Sequence, residues 1–188
     1  MNKQIWKPGN MLYPVPVVMV SCGNLKGEKN IITIAWAGTI CSDPAMVSIS
    51  VRPERYSYDM IRETGEFVIN LTTKELTYAT DWCGVKSGRD VDKFESMGLS
   101  AAPAHALRYA PIIEESPVNL ECRVQDVLEL GSHHMFVARI EDVMVSGRYM
   151  NESGKFELNS TGLVTYSHGE YFVLGERIGK FGYSVQKG

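Results

Sequence analysis

Two short β-type runs, Ile31 to Ala37 and Met46 to Arg52, meet at a Ser42-Asp43-Pro44 corner. Both put small or polar side chains where a buried sheet would carry apolar ones. Successive side chains of a strand point to opposite faces. In the first run Thr33, Ala35 and Ala37 therefore share one face, opposite Ile32, Ile34 and Trp36. In the second, Val47, Ile49 and Val51 point to a core while Ser48, Ser50 and Arg52 point away from it. The pair commits the chain to β structure with a face free for something other than packing.

The surrounding sequence extends that pattern. Tyr13-Pro14-Val15-Pro16 reads as an extended edge leading into a buried strand, Val17 to Cys22. Ser57 is placed to cap a helix over Tyr58 to Thr64 that stops at Gly65, and a strand follows from Phe67 to Leu71. Thr72 and Glu75 have capping-box spacing before a second helix that Gly84 breaks. A third helix is predicted over Asp90 to Met97, closed by Gly98. Ser100 to Glu115 lacks a period and reads as a surface excursion. Strands return at Val118 to Val124 and Met135 to Val145, then as a hairpin around Ser167-His168-Gly169. Antiparallel strands joined by short helices predict an all-β dominated closed barrel. With 188 residues, 44% of them hydrophobic, one domain over 1–188 can bury its own core.

Charge and cysteines narrow the function classes. A net charge of −3 offers no strong attraction for nucleic acid or anionic lipid. No apolar run approaches a membrane span and no leader-like apolar segment opens the chain, so a cytoplasmic protein is expected. Cys22, Cys41, Cys83 and Cys122 are widely spaced, without zinc spacing, and read as reduced thiols. No G-x-S-x-G elbow, P-loop or G-x-G-x-x-G fingerprint is present.

What remains is the Ser48-Ser50-Arg52 face, two hydroxyls and a guanidinium on one strand, a donor set suited to a phosphate. A solvated strand face accounts for the same spacing. The small Thr33-Ala35-Ala37 face would let a flat ligand reach the backbone, or would relieve core crowding. Together the strands suit a nucleotide-like ligand with a planar ring. His133, after Gly131-Ser132, is a candidate for that ligand's polar edge, or an ordinary loop histidine.

Several separated motifs resemble the flavin reductase-like, FMN-binding split-barrel family. They are Asn30-x-x-Thr33-x-Ala35-Trp36 with Ser42-Asp43-Pro44, Ser48-x-Ser50-Val51-Arg52-Pro53, Ser57 heading a helix, Gly65-Glu66-Phe67-Val68-Ile69-Asn70-Leu71, and Gly131-Ser132-His133. Trp82-Cys83-Gly84-x-x-Ser87-Gly88-Arg89-Asp90-Val91-Asp92-Lys93-Phe94 and the terminal Tyr171-x-x-Leu174-Gly175 resemble the flavoredoxin branch. The resemblance implies a Greek-key split β-barrel of the FMN-binding type, working as a homodimer with FMN near the subunit interface. It implies electron transfer from NAD(P)H, or from a reduced protein donor in carrier-like members, through FMN to an acceptor. It places Thr33, Ile34, Ala35 and Trp36 along the ring and ribityl chain. Ser48, Ser50, Val51, Arg52 and Ser57 fall at the phosphate, and His133 near the ring or a nicotinamide. It also suggests a Ser87 to Lys93 loop that closes over the cofactor, and Tyr171 beside it. A binding module without redox use is the remaining alternative.

Overall fold

The computed structural model describes residues 1–185; of the domain expected over 1–188, the last three residues lie outside the described part. The first half runs β1 (Val15–Pro16), β2 (Val18–Gly23), β3 (Lys29–Ile34), β4 (Ala37–Ser42), β5 (Ala45–Val51), α1 (Tyr56–Thr64) and β6 (Glu66–Leu71). Then come α2 (Thr77–Val85), α3 (Lys93–Met97), β7 (Ala101–Ala102), β8 (Ile112–Ile113), β9 (Val118–Glu129), β10 (His134–Val145), β11 (Val164–Ser167) and β12 (Glu170–Val173).

Seven strands form one antiparallel sheet in the order β3-β2-β6-β9-β10-β5-β4. Its two edge strands, β3 and β4, are consecutive in the chain and separated only by Ala35 and Trp36. Two residues can link opposite edges only if the sheet curls until those edges meet. Ser50 N–H donating to the Trp36 carbonyl at 2.9 Å extends the β4–β5 ladder by one rung and holds that corner against β5. Register shifts at Thr39/Cys41, Val137/Ala138 and Ile140/Asp142 supply the local bends that curling needs. The result is the β-dominated barrel that the motifs imply.

The barrel interior is filled from every strand of this sheet except the outer reach of β4. Val20, Ile34, Ile49, Val51, Phe67 and Phe136 pack there, and α1 adds Tyr58, Met60 and Ile61 from one end. A second cluster on the outer face joins Met19 and Ile31 to Leu76, Ala79 and Cys83 of α2 and its approach, and to Phe94 of α3. Gly84 permits the close approach of α2 to β3, since a Cβ there would stand 3.1 Å from Thr33 Cβ.

Several local expectations are corrected. The single strand over Ile31 to Ala37 is two strands on opposite edges: Thr33 pairs with Met19, whereas Ala37 pairs with Ile49. Thr33 and Ala37 therefore share no continuous face, because barrel closure puts a corner at Ala35-Trp36. Ser57 is no N-cap; α1 begins earlier, after Arg55, and Ser57 turns inward, fully buried, to accept a hydrogen bond from Asn30. The Thr72/Glu75 box does not form: α2 begins after Leu76 with no side-chain cap and runs through Gly84 to Val85. The third helix is shorter than predicted, because Asp92 caps it by accepting from the Phe94 and Glu95 N–H groups.

The period-less excursion is held by buried polar side chains. Asn70 receives the Ile113 N–H at 2.9 Å, and the buried carboxylates of Glu66 and Glu121 receive the N–H groups of Arg108, Tyr109, His105 and Ala106. The hairpin β11–β12 turns through His168 and Gly169, both at positive φ, as a two-residue turn matched to strand twist requires. It pairs with β1 and lays Tyr166 beside the sheet corner.

Candidate functional site

A cleft of about 430 Å³ runs along the line where the sheet edges meet, within the range of small-molecule and cofactor sites. Three stretches wall it: Asn30 to Trp36, Ser50 to Ser57, and a strap from Cys83 to Lys93. Its two ends differ in chemistry.

One end is cationic. Arg52, Arg55, Lys86, Arg89 and Lys93 line it against a single carboxylate, Glu54. The Arg52–Glu54 pair is long, 3.6 Å, with side chains 47% and 65% exposed, so it neutralises little of that charge. Tyr56 and Ser57, the first residues of the nine-residue helix α1, also line this end. Helix starts present backbone N–H groups without intrahelical acceptors, and anions settle there.

The strap is fastened at three points. Arg89 donates to the Glu54 carbonyl at 3.1 Å and lies 5.3 Å above the Tyr56 ring. Gly88 sits against Asn30, whose amide donates to Ser57 Oγ at 2.9 Å. Lys93, only 4% exposed, donates to the carbonyls of Ile31 at 2.7 Å and Cys83 at 2.6 Å. Burial holds its ammonium below the usual lysine range, with the neighbouring Cys83 and Cys22 opposing that shift. Expected as part of a closing loop, Lys93 is a buried tie in the inner wall.

The other end is flat and weakly polar. Thr33, Ile34, Ala35 and Trp36 pass along it with Tyr166, while Ser50 and His133, the residue before the His134–Val51 strand pair next to Arg52, join it to the cationic end. The side chains of Ile34 and Val51 belong to the barrel core, so these two residues face the cleft through backbone. Thr33 Oγ1 is occupied by the Thr80 carbonyl. Trp36 is braced by Tyr13, ring centroids 6.1 Å apart. Burial, and then the charge of Arg52, keep the His133 imidazole below its ordinary pKa.

Of the sequence-predicted residues, Thr33, Ile34, Ala35, Trp36, Ser50, Val51, Arg52, Ser57, Ser87, Lys93 and His133 all line this cleft. Ser48 does not; it lines a second, adjoining cavity. Tyr171 lines neither, standing behind Tyr166 at 5.6 Å and donating to Asp81 at 2.8 Å. Burial first, and that bond second, raise its hydroxyl pKa well above the usual tyrosine value. Arg55, Arg89 and Tyr166 are cleft residues that alternation cannot reveal, since loops and a distant hairpin bring them in.

The arrangement contains no activated nucleophile. Burial pushes the Cys83 thiol, at the cleft wall, up to about 11, so it stays protonated near neutrality. Among the described residues no group of three His, Cys, Asp or Glu could hold a metal, and no helix is long and apolar enough to cross a membrane. A cleft that brings these cations together with the backbone of Thr33 to Trp36 has the chemistry to accept a ligand with an anionic tail and a planar ring.

Known proteins share this architecture. The family model described as flavin reductase like domain matches residues 10–175. An uncharacterized protein of Archaeoglobus fulgidus is 30% identical over 161 residues, 86% of this chain and 88% of that protein. The structure of flavoredoxin of Desulfovibrio vulgaris (Miyazaki F) matches with a TM-score of 0.90 at 29% identity, covering 98% of this chain and 100% of that one. Flavoredoxin from Methanosarcina acetivorans matches with a TM-score of 0.86, again at 29% identity and with 98% and 100% covered.

Proposed function

The chain belongs to the flavin reductase-like domain family, and from that premise we propose that it is an FMN-dependent oxidoreductase drawing electrons from NAD(P)H. The observation that carries this reading is the two-ended cleft. Its cationic end, with Arg52, Arg55, Arg89, Ser57 and the start of α1, suits a ribityl phosphate. Its flat end, with the backbone of Thr33 to Trp36 and the His133 imidazole, suits the edge of an isoalloxazine ring.

When bound, FMN would supply the electron-transfer chemistry itself. The chain's own residues do the rest. Arg52 and Arg89 neutralise the anionic tail, and the strap from Cys83 to Lys93 covers it. Ala35 and Trp36 set the ring's position, because the hydrogen bond from Ser50 to Trp36 fixes the corner they occupy. His133, kept neutral by its surroundings, offers a donor or acceptor without adding charge beside the ring.

A second reading is a carrier that shuttles electrons between protein partners with little NAD(P)H turnover. The two flavoredoxin structures, alike over 98% of this chain, favour it. Either reading includes a homodimer. Apolar side chains such as Ile178 and Phe181, left in water by one chain, support that.

Anaerobic addition of NADH or NADPH to the FMN-loaded protein, followed by flavin absorbance, separates the readings. Rapid bleaching is expected of the oxidoreductase. A spectrum that bleaches only with a reduced protein donor assigns the carrier role, and protein that takes up no FMN overturns both.

A further inference from the structure

Tyr171 lines neither cavity, and its surroundings give it a different role. It ends a run of stacked rings. Measured between ring centroids, Trp36 on the cleft wall stands 6.1 Å from Tyr13, Tyr13 stands 6.2 Å from Tyr166, and Tyr166, also on the cleft wall, stands 5.6 Å from Tyr171. Each step lies within the range of direct aromatic contact.

Packing alone does not call for this choice of rings. Where the barrel needs only volume it uses phenylalanine, as at the fully buried Phe67 and Phe136. Every ring of the run is instead a tyrosine or a tryptophan, the aromatic side chains that give up an electron most readily. Electrons pass quickly between such rings at contact distance, so an electron deficit created at the cleft can move outward in short steps. Trp36 and Tyr166 receive it there, and Tyr171 stands at the far end.

The far end is suited to keep it. Oxidising a phenol releases its proton, and the oxidation is easiest where an acceptor is already in place. Tyr171 donates its hydroxyl hydrogen to the Asp81 carboxylate at 2.8 Å. Burial first, and Asp81 second, hold that phenol above the usual tyrosine range, so near neutral pH the proton stays until the electron leaves. Asp81, on α2, is exposed and can pass the proton on to water.

We propose that these four rings form a route that carries an oxidising equivalent from the cleft to the surface, with Tyr171 as its terminal radical site and Asp81 as its proton acceptor. The inference rests on the flavin reading, because the oxidant is the bound flavin excited by blue light. One electron passes from Tyr171 through Tyr166 to the excited flavin, which is reduced by one electron. The Tyr171 O–H bond breaks, its proton moves to Asp81, and a neutral tyrosyl radical remains. The radical is thereby taken away from the wall against which the cofactor lies.

The test is anaerobic blue-light illumination of FMN-loaded protein with the spin trap 2-methyl-2-nitrosopropane, followed by mass spectrometry of the labelled peptides. Hexaamminecobalt(III) is present to take the electron from the reduced flavin and so prevent its return. The adduct is expected on Tyr171. Trp6, 74% exposed, and Tyr183, 58% exposed, lie off the route and should stay unlabelled. Tyr171→Phe keeps the ring and removes the O–H, and the adduct should then retreat to Tyr166 or Trp36. Asp81→Asn keeps the size of the side chain and removes the base, so the tyrosyl absorption that follows a laser flash should form roughly a hundredfold more slowly, the lower end of what a positioned base contributes. A tyrosine that only held the hairpin against α2 would change the melting temperature of both variants, but neither the adduct site nor that rate. No adduct at Tyr171, equal labelling of Trp6 and Tyr183, or an unchanged rate in Asp81→Asn overturns the route while leaving the flavin reading intact. Protein that takes up no FMN overturns that reading instead. Azide radicals, which oxidise tryptophan first, then decide the route by whether a tyrosyl radical forms in the unaltered protein and is lost in Tyr171→Phe. Should Tyr171→Phe not fold, the adduct site in the unaltered protein and the Asp81→Asn rate decide.

Discussion

Gly88 offers a sharp test of how the strap is held. A Cβ at this position would stand 2.2 Å from Asn30 Oδ1, 2.6 Å from its Cγ and 2.8 Å from its Nδ2, where non-bonded carbon contacts normally lie near 3.5–4.0 Å. The backbone of Gly88 is not at positive φ, so Gly88→Ala acts through that contact alone. Asn30, 3% exposed and bonded to Ser57, cannot swing into water. Either its amide shifts, losing a bond that contributes ~0.5–1.5 kcal/mol, or the strap lifts and Arg89 leaves Glu54 and Tyr56. Overpacking of this kind costs ~1–3 kcal/mol. For a chain of this length each kcal/mol lowers the melting temperature by roughly 2–4 °C, so Gly88→Ala should melt about 2–12 °C below the parent. FMN should bind roughly tenfold more weakly, since Ser57 and the strap are disturbed together. Thermal melts and flavin fluorescence titrations read both effects. Adding Asn30→Ala makes room for the methyl, and the cost of Gly88→Ala should then largely vanish, a non-additivity expected of residues in contact. Strictly additive losses, or a single variant that melts and binds like the parent, would refute the packing described for the strap.

Arg52→Ala should weaken FMN binding by about 1.5–3 kcal/mol, the range for hydrogen bonds to charged groups, or roughly 10- to 150-fold; unchanged affinity in a fluorescence titration would move the phosphate elsewhere. The same substitution removes a cation that lowers the His133 pKa. The NMR titration midpoint of His133 should therefore rise; because a base depressed in the fold costs stability as the pH falls from its unfolded value of 6.5 down through its folded pKa, the stability lost on acidification should also shrink. Cys22 and Cys83, with pKa values raised to about 11, and Cys122, raised to about 12, are buried thiols. Mass spectrometry after brief iodoacetamide treatment at pH 7.5 should show one modified cysteine, the partly exposed Cys41; two or more would mean the barrel opens on that timescale. Sedimentation should give a dimer, and a monomer that binds FMN fully would contradict the subunit arrangement proposed above.

The alternation of Ser48, Ser50 and Arg52 is legible in the sequence because it is local and its period is set by strand geometry alone. The inward set Val47, Ile49 and Val51 is legible for the same reason, and all three are buried as that period requires. The corner at Ala35-Trp36 is not legible, since nothing in that dipeptide distinguishes a continuing strand from one that leaves an edge and joins the opposite one. Closure is decided by strands β9 and β10, some hundred residues away. Ser57 shows a subtler limit. Its sequence context suits a cap, yet its hydroxyl goes to Asn30 because burial of both side chains leaves each needing the other. Arg89 and Tyr166 reach the cleft from a strap and a hairpin whose placement is purely tertiary.

The dipeptide that joins β3 to β4 also bears on how such a protein can diverge. Ala35 and Trp36 join the two edge strands, wall the cleft and wall the second cavity at once. A change there alters three properties together, and most such changes lose at least one. The N-terminal arm, by contrast, lies outside the seven-stranded sheet and lines the second cavity but not the cleft. Residues 9–12 can therefore vary without breaking a rung of the seven-stranded sheet, whereas a change at Ala35 or Trp36 reaches both cavities.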